Sequence, residues 1–101
     1  MKLRWTQRAR RDLVEIGRHI ARDKPMAARR WVERLRQRAR DAAALPKSGR
    51  EVPEVGREDV REVFVRSYRI VYRVFADEIH VVTVFEGHRL LPAGVREELE
   101  A

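Results

Sequence analysis

The apolar residues of this chain change their spacing once. Up to Leu45 they recur every three or four positions, first as Ala9, Leu13, Ile16 and Ile20, then as Ala28, Val32, Leu35, Ala39 and Ala42. From residue 61 onward alternation takes over, most clearly in VRSYRIVYRVF (residues 65–75), where Tyr68, Ile70, Tyr72 and Val74 share one side and Arg69, Val71, Arg73 and Phe75 the other. The first spacing keeps one face of a helix apolar and the second keeps one face of a strand apolar. A chain built this way can bury its apolar surface only by laying helices on a sheet, which is an α+β fold.

The punctuation of the sequence sets the boundaries. KLRW (residues 2–5) alternates and predicts a short strand, and Thr6 offers an N-cap hydroxyl to a helix over about residues 7–22. Pro25 fits the first turn of a helix but not its interior, so RDKP predicts a tight link into a second helix, ended by Pro46, Ser48 and Gly49. The stretch PKSGREVPEVGREDV (residues 46–60) predicts a loop, because its prolines and glycines suit neither period. Strands follow at about 61–66, 68–75 and 78–86, the last two joined by a tight turn at Ala76, Asp77 and Glu78, and Gly94 precedes a short helix with Val95 and Leu99 inward.

The expected architecture is a single two-layer domain over residues 1–101, of order β-α-α-β-β-β. A helical hairpin packs on one face of a mainly antiparallel four-stranded sheet, with a short C-terminal helix. Leu13, Ile16, Ile20, Val32, Leu35, Ile70, Tyr72 and Val82 are the expected core between hairpin and sheet. The second sheet face, which carries Arg69 and Arg73, is expected to stay open. A chain of 101 residues leaves no room for a second domain.

Composition narrows the function. There is no cysteine, and the three histidines are scattered, so neither a disulfide framework nor a zinc motif is expected, and no metal or cofactor is anticipated. No apolar run is long enough to span a bilayer and the N-terminus lacks a signal-like apolar stretch, so the expected location is the cytoplasm, without membrane contact. Charge is divided unevenly: residues 1–50 hold 16 Lys+Arg against 5 Asp+Glu, and residues 51–101 hold 7 against 11. The net charge of +7 therefore comes from the helical half, whose field favours an acidic or polyanionic partner and makes association salt-sensitive.

Five segments in order, WTxxARxDLxEI (Trp5 to Ile16), KPxAAxRWVERL (Lys24 to Leu35), LPxSGRxVPE (Leu45 to Glu54), REVFVxSYRIVYRV (Arg61 to Val74) and VFEGHRLLP (Val84 to Pro92), resemble the RelE/ParE superfamily of type II toxin-antitoxin toxins. The resemblance implies a toxin neutralised in a hetero-oligomeric complex by a cognate antitoxin whose acidic, partly disordered segment folds on binding. It is the kind of module implied in plasmid stabilisation.

Two mechanisms follow from the resemblance. A ParE-like member inhibits DNA gyrase through a shaped basic surface, without catalytic residues, and the long hairpin favours this branch. A RelE-like member is a ribosome-dependent endoribonuclease that cuts mRNA, and 2′-OH attack then needs a proton acceptor, a proton donor and cations around the phosphate. The candidates for those roles are Arg69, Arg61, Glu54, His88 and Arg89, with Arg69 in SYRIVY matching the phosphate-binding arginine of such enzymes. Target binding in either branch is expected of Arg69, Arg73 and Arg89. The chain departs from the nuclease pattern: its lysines are only Lys2, Lys24 and Lys47, no tyrosine follows Tyr72, and Glu86-Gly87-His88-Arg89 stands where many relatives carry HGxR.

Two further readings stand beside these. One is a non-toxic basic nucleic-acid-binding domain. The other takes Arg69 and Arg73 as structural, paired across strands with Glu62, Glu78 or Glu86. His80, in step with Val82 and Val84, is expected to be structural or exposed, and Trp5, Trp31, Tyr68 and Tyr72 to be core or interface anchors.

Overall fold

The computed structural model describes residues 1–100. Strand β1 (Lys2–Trp5) leads into helices α1 (Gln7–Asp23) and α2 (Pro25–Ala44), then a 3-10 turn at Pro46–Ser48. Strands β2 (Arg50–Glu51), β3 (Val60–Val65), β4 (Tyr68–Val74) and β5 (Glu78–Glu86) follow, and helix α3 (Val95–Glu100) closes the chain. The helix starts arise as the sequence predicts: Thr6 Oγ1 accepts a hydrogen bond from the Ala9 amide at 3.1 Å, and Pro25 opens α2.

The sheet has five strands rather than four, in the order β1-β5-β4-β3-β2, with β1 parallel to β5 and every other pair antiparallel. The added strand is the two-residue β2, inside the expected loop. Ile70 and Tyr72 face the hairpin, together with Val63, Val65, Ile79, Val81 and Val84, and meet Ala9, Leu13, Leu35, Ala39 and Ala42 there. Ile16, Ile20 and Val32 are only half-buried. The helices are tied to the sheet where α1 begins and α2 ends, and their linked ends reach away from it.

Val82 is buried on the opposite side of the sheet from that expected. Val71 pairs with Thr83 and Tyr72 with Val81, so Val82 is one residue too many in β5. This bulge shifts the alternation: Val81 and Val84 both face the hairpin, while Val82 and Phe85 face away. The free edge of β5 beyond β1 is satisfied by α1, whose Asp12 carboxylate accepts from Thr83 Oγ1 at 2.6 Å and from the Val84 amide at 3.0 Å.

The second face is not open. Val52, Val60, Val71, Val82 and Phe85 form a smaller core beneath the 52–59 segment and α3, whose Val95 and Leu99 are buried against it. The domain therefore has three layers around one sheet. No described helix is long and apolar enough to cross a membrane.

Candidate functional site

Arg69 lies at the centre of the second face and is only 6% exposed. Its Nε donates to Glu62 Oε1 at 2.6 Å, and its Nη1 and Nη2 donate to the two carboxylate oxygens of Glu54 at 2.8 and 2.9 Å. The guanidinium carbon sits 4.9 Å from the centroid of the Phe85 ring. Glu62 has a fully buried side chain and is also held by Arg50 Nε at 2.7 Å. Strands β3 and β4 place Glu62 and Arg69, and the 52–59 segment folds over them to bring Glu54.

The electrostatics follow from these contacts. The hydrogen bonds from Arg69 hold the Glu54 carboxyl below the usual carboxylate range, and those to Glu54 and then Glu62 hold the Arg69 guanidinium above its ordinary pKa. Both groups stay charged. A phosphate approaching Arg69 would have to displace two carboxylates from a site nearly closed to solvent, so the cluster as built repels an anion.

The other predicted residues lie elsewhere. Arg73 Nη1 donates to the Leu99 carbonyl at 3.3 Å, and its Nε lies 3.3 Å from Asp59 Oδ2 without hydrogen-bond alignment. Its ion partner is thus Asp59, not Glu62, Glu78 or Glu86. Arg61 projects to the hairpin side, donating to the Glu58 and Gly49 carbonyls at 3.0 and 2.9 Å. His88 is exposed, with Nδ1 2.8 Å from Glu86 Oε1. Arg89 is exposed beside a cleft of about 510 Å³ between α1 and the end of β5, lined also by Asp12, His19 and Tyr68.

Of the five nuclease candidates, only Glu54 and Arg69 touch each other. His80 is half-buried, 3.2 Å from Glu78 Oε1, and rests on Phe75 with ring centroids 4.4 Å apart. Sequence reasoning missed the double role of Glu62, and the signal available was only its place on the same strand face as Val60 and Phe64. Among the described residues no cluster of His, Asp and Glu has the make-up of a metal site.

The family profile described as "ParE toxin of type II toxin-antitoxin system, parDE" matches residues 3–91. The chain belongs to the ParE toxin family. The candidate toxin Y4kP of Sinorhizobium fredii is 38% identical over 94 residues, covering 90% of this chain and 93% of that protein. Toxin RelE2 of Caulobacter vibrioides is 36% identical over 86 residues, covering 85% of this chain and 94% of its own. A solved structure described as the chromosomal ParDE system from P. aeruginosa superposes with a TM-score of 0.71 at 26% identity, over 85% of this chain and 95% of that one. The protein is a type II toxin of the RelE/ParE superfamily, and in this toxin α3 lies beyond the residues that the family profile matches.

Proposed function

We propose that this toxin acts as a ParE-like inhibitor of DNA gyrase in the cytoplasm, is neutralised by a cognate acidic antitoxin, and works by surface contact without a catalytic step. The observation that carries the reading is the state of Arg69. The residue that would bind the scissile phosphate in a RelE-like nuclease is buried and occupied by Glu54 and Glu62. Glu54, another of the nuclease candidates, has both carboxylate oxygens taken by that same arginine, whose hydrogen bonds lower its pKa and make it a poor proton acceptor, and His88 turns to Glu86. General acid-base cleavage needs its donor, acceptor and phosphate-binding cations to converge on one phosphodiester. A poison that blocks a large enzyme needs only a rigid, complementary surface.

The antitoxin half of the proposal is supported by the charge of the hairpin and by the ParDE assembly to which this fold is similar. An acidic segment that orders on binding is steered by such a basic field. The relatives named above fall on both branches of the superfamily, so the target rests on the geometry of the site. Expression without antitoxin is expected to stop replication and induce the DNA-damage response while protein synthesis continues at first. Immediate loss of translation with fragmented mRNA, and no DNA-damage response, would select the ribosome instead.

A further inference from the structure

A second basic surface lies along the part of β3 that β2 leaves unpaired, at Val63–Val65, and its arginines take no part in the Arg69 cluster. A groove of about 350 Å³ runs between α2 and the β3–β4 turn, lined by Arg34, Gln37, Arg38, Asp41, Phe64 and Arg66, with Val65 in its floor. Arg34, Arg38 and Arg66 form no ion pair among the described residues, unlike the arginines of the second face. Asp41, the one carboxylate, accepts a hydrogen bond from Gln37 at 2.9 Å. Arg30, Arg34 and Arg38 fall at every fourth position of α2, so they stand about 6 Å apart in one row.

Two features show that these guanidiniums are placed rather than merely solvated. The ring of Trp31 lies within cation–π reach of both Arg34 and Arg66, at 4.9 and 5.8 Å from guanidinium carbon to centroid. Arg66 also sits at φ +50°, in the left-handed region where glycine or asparagine costs least. The two-residue β3–β4 turn calls for a positive φ at this position, and arginine in place of glycine there carries a backbone cost of roughly 1 kcal/mol. At the groove's rim Phe64, on the same strand face as Arg69, is 41% exposed, with Arg50 5.1 Å from its ring centroid.

Unpaired arginines on both walls and an exposed ring at the rim match a strand of nucleic acid, whose phosphates take the guanidiniums and whose bases stack on aromatic and guanidinium planes. A duplex would present a convex surface to this recess and leave Phe64 without a base. We propose that the α2–β3 groove of this toxin binds single-stranded nucleic acid. The inference does not depend on gyrase being the target, and it concerns the free toxin.

The test is fluorescence anisotropy of labelled oligothymidylate and oligouridylate with the purified full chain across a salt series, with Trp31 emission as a second signal. Binding of either oligonucleotide through the groove is expected to weaken at least about tenfold in the R34A/R66A double variant, and the salt slope to fall by about 1.4 for two lost phosphate contacts. F64A is expected to weaken single-strand binding about fivefold or more. R38A provides an independent reading should the double variant unfold. The charge-matched R10A/R11A variant, on exposed positions of α1, is expected to bind nearly as the parent does. Equal loss in R10A/R11A, tighter binding of duplex, or displacement of the oligonucleotide by polyglutamate at equal charge would overturn the proposal.

Discussion

Arg69 and Glu62 are diagonal neighbours, not direct partners: in the β3–β4 register Arg69 stands opposite Phe64 and Glu62 opposite Val71, yet their side chains meet at 2.6 Å. Diagonal positions on adjacent strands are about 7–8 Å apart, within reach of a long arginine. The pair is closed on its other sides by Phe85, Arg50 and Glu54. It is a fixed part of the second core and not a free guanidinium.

Removing the arginine alone leaves Glu62 buried with half its partners. R69A is expected to lower the unfolding free energy by about 3–5 kcal/mol, the scale for breaking a buried ion cluster from one side. Lysine restores the charge but not the fork that spans two carboxylates, so R69K is expected to fall between R69A and the parent. Urea unfolding followed by tryptophan emission measures both.

Acid is expected to loosen the same cluster. The folded-state pKa of Glu54 is lowered, chiefly by its hydrogen bonds from Arg69, so its share of stability is complete above the ordinary glutamate value of about 4.3 and is lost as pH falls through the lower folded value. E54Q removes that share, and its melting temperature is expected to decline less steeply than the parent's below about pH 4.5. Thermal melts between neutral and acidic pH compare the slopes.

Tyr72 ties the end of α2 to the sheet. Its buried hydroxyl donates to the Pro46 carbonyl at 2.6 Å and accepts from the Gly49 amide at 3.2 Å. A methyl on Gly49 would press on that hydroxyl and lie 2.7 Å from the Glu62 carbonyl. G49A is therefore expected to destabilise more than Y72F, which loses one hydrogen-bonding group at about 1–3 kcal/mol. Equal effects in a denaturant series would argue that the segment shifts freely.

Helix α3 has only six residues, too few to be stable alone, and is held by what it covers. Arg57 and Arg73 grip its last turn through the Leu99 carbonyl, at 3.0 and 3.3 Å. V95D is expected to release α3, expose Val71, Val82 and Phe85, and produce binding of a hydrophobic dye. Dye fluorescence identical to that of the parent would show that α3 is not the cover.

The parts legible in the sequence were those whose apolar residues repeat. The two helix stripes and the alternation of β4 gave element order, the hairpin side of the sheet and the inward facing of Ile70 and Tyr72. The two residues of β2 are too few to carry a period, and the bulge at Val82 leaves no mark in composition. The second core joins Val52 and Val60 from an irregular segment to Val95 and Leu99 at the far end of the chain, contacts that no local spacing announces. For the same reason Glu62 was visible as a cross-strand partner for Arg69, whereas the bidentate grip of Glu54 was not.

The central claim is that the toxin blocks gyrase by contact, with Arg69 as structure and not as a catalyst. Purified toxin titrated into gyrase supercoiling reactions, beside a purified translation system probed for mRNA cleavage, tests it most directly. Supercoiling is expected to fall as toxin approaches gyrase in stoichiometric proportion, with mRNA on translating ribosomes left intact. Supercoiling untouched by excess toxin, together with many cuts in mRNA per toxin molecule, would contradict it.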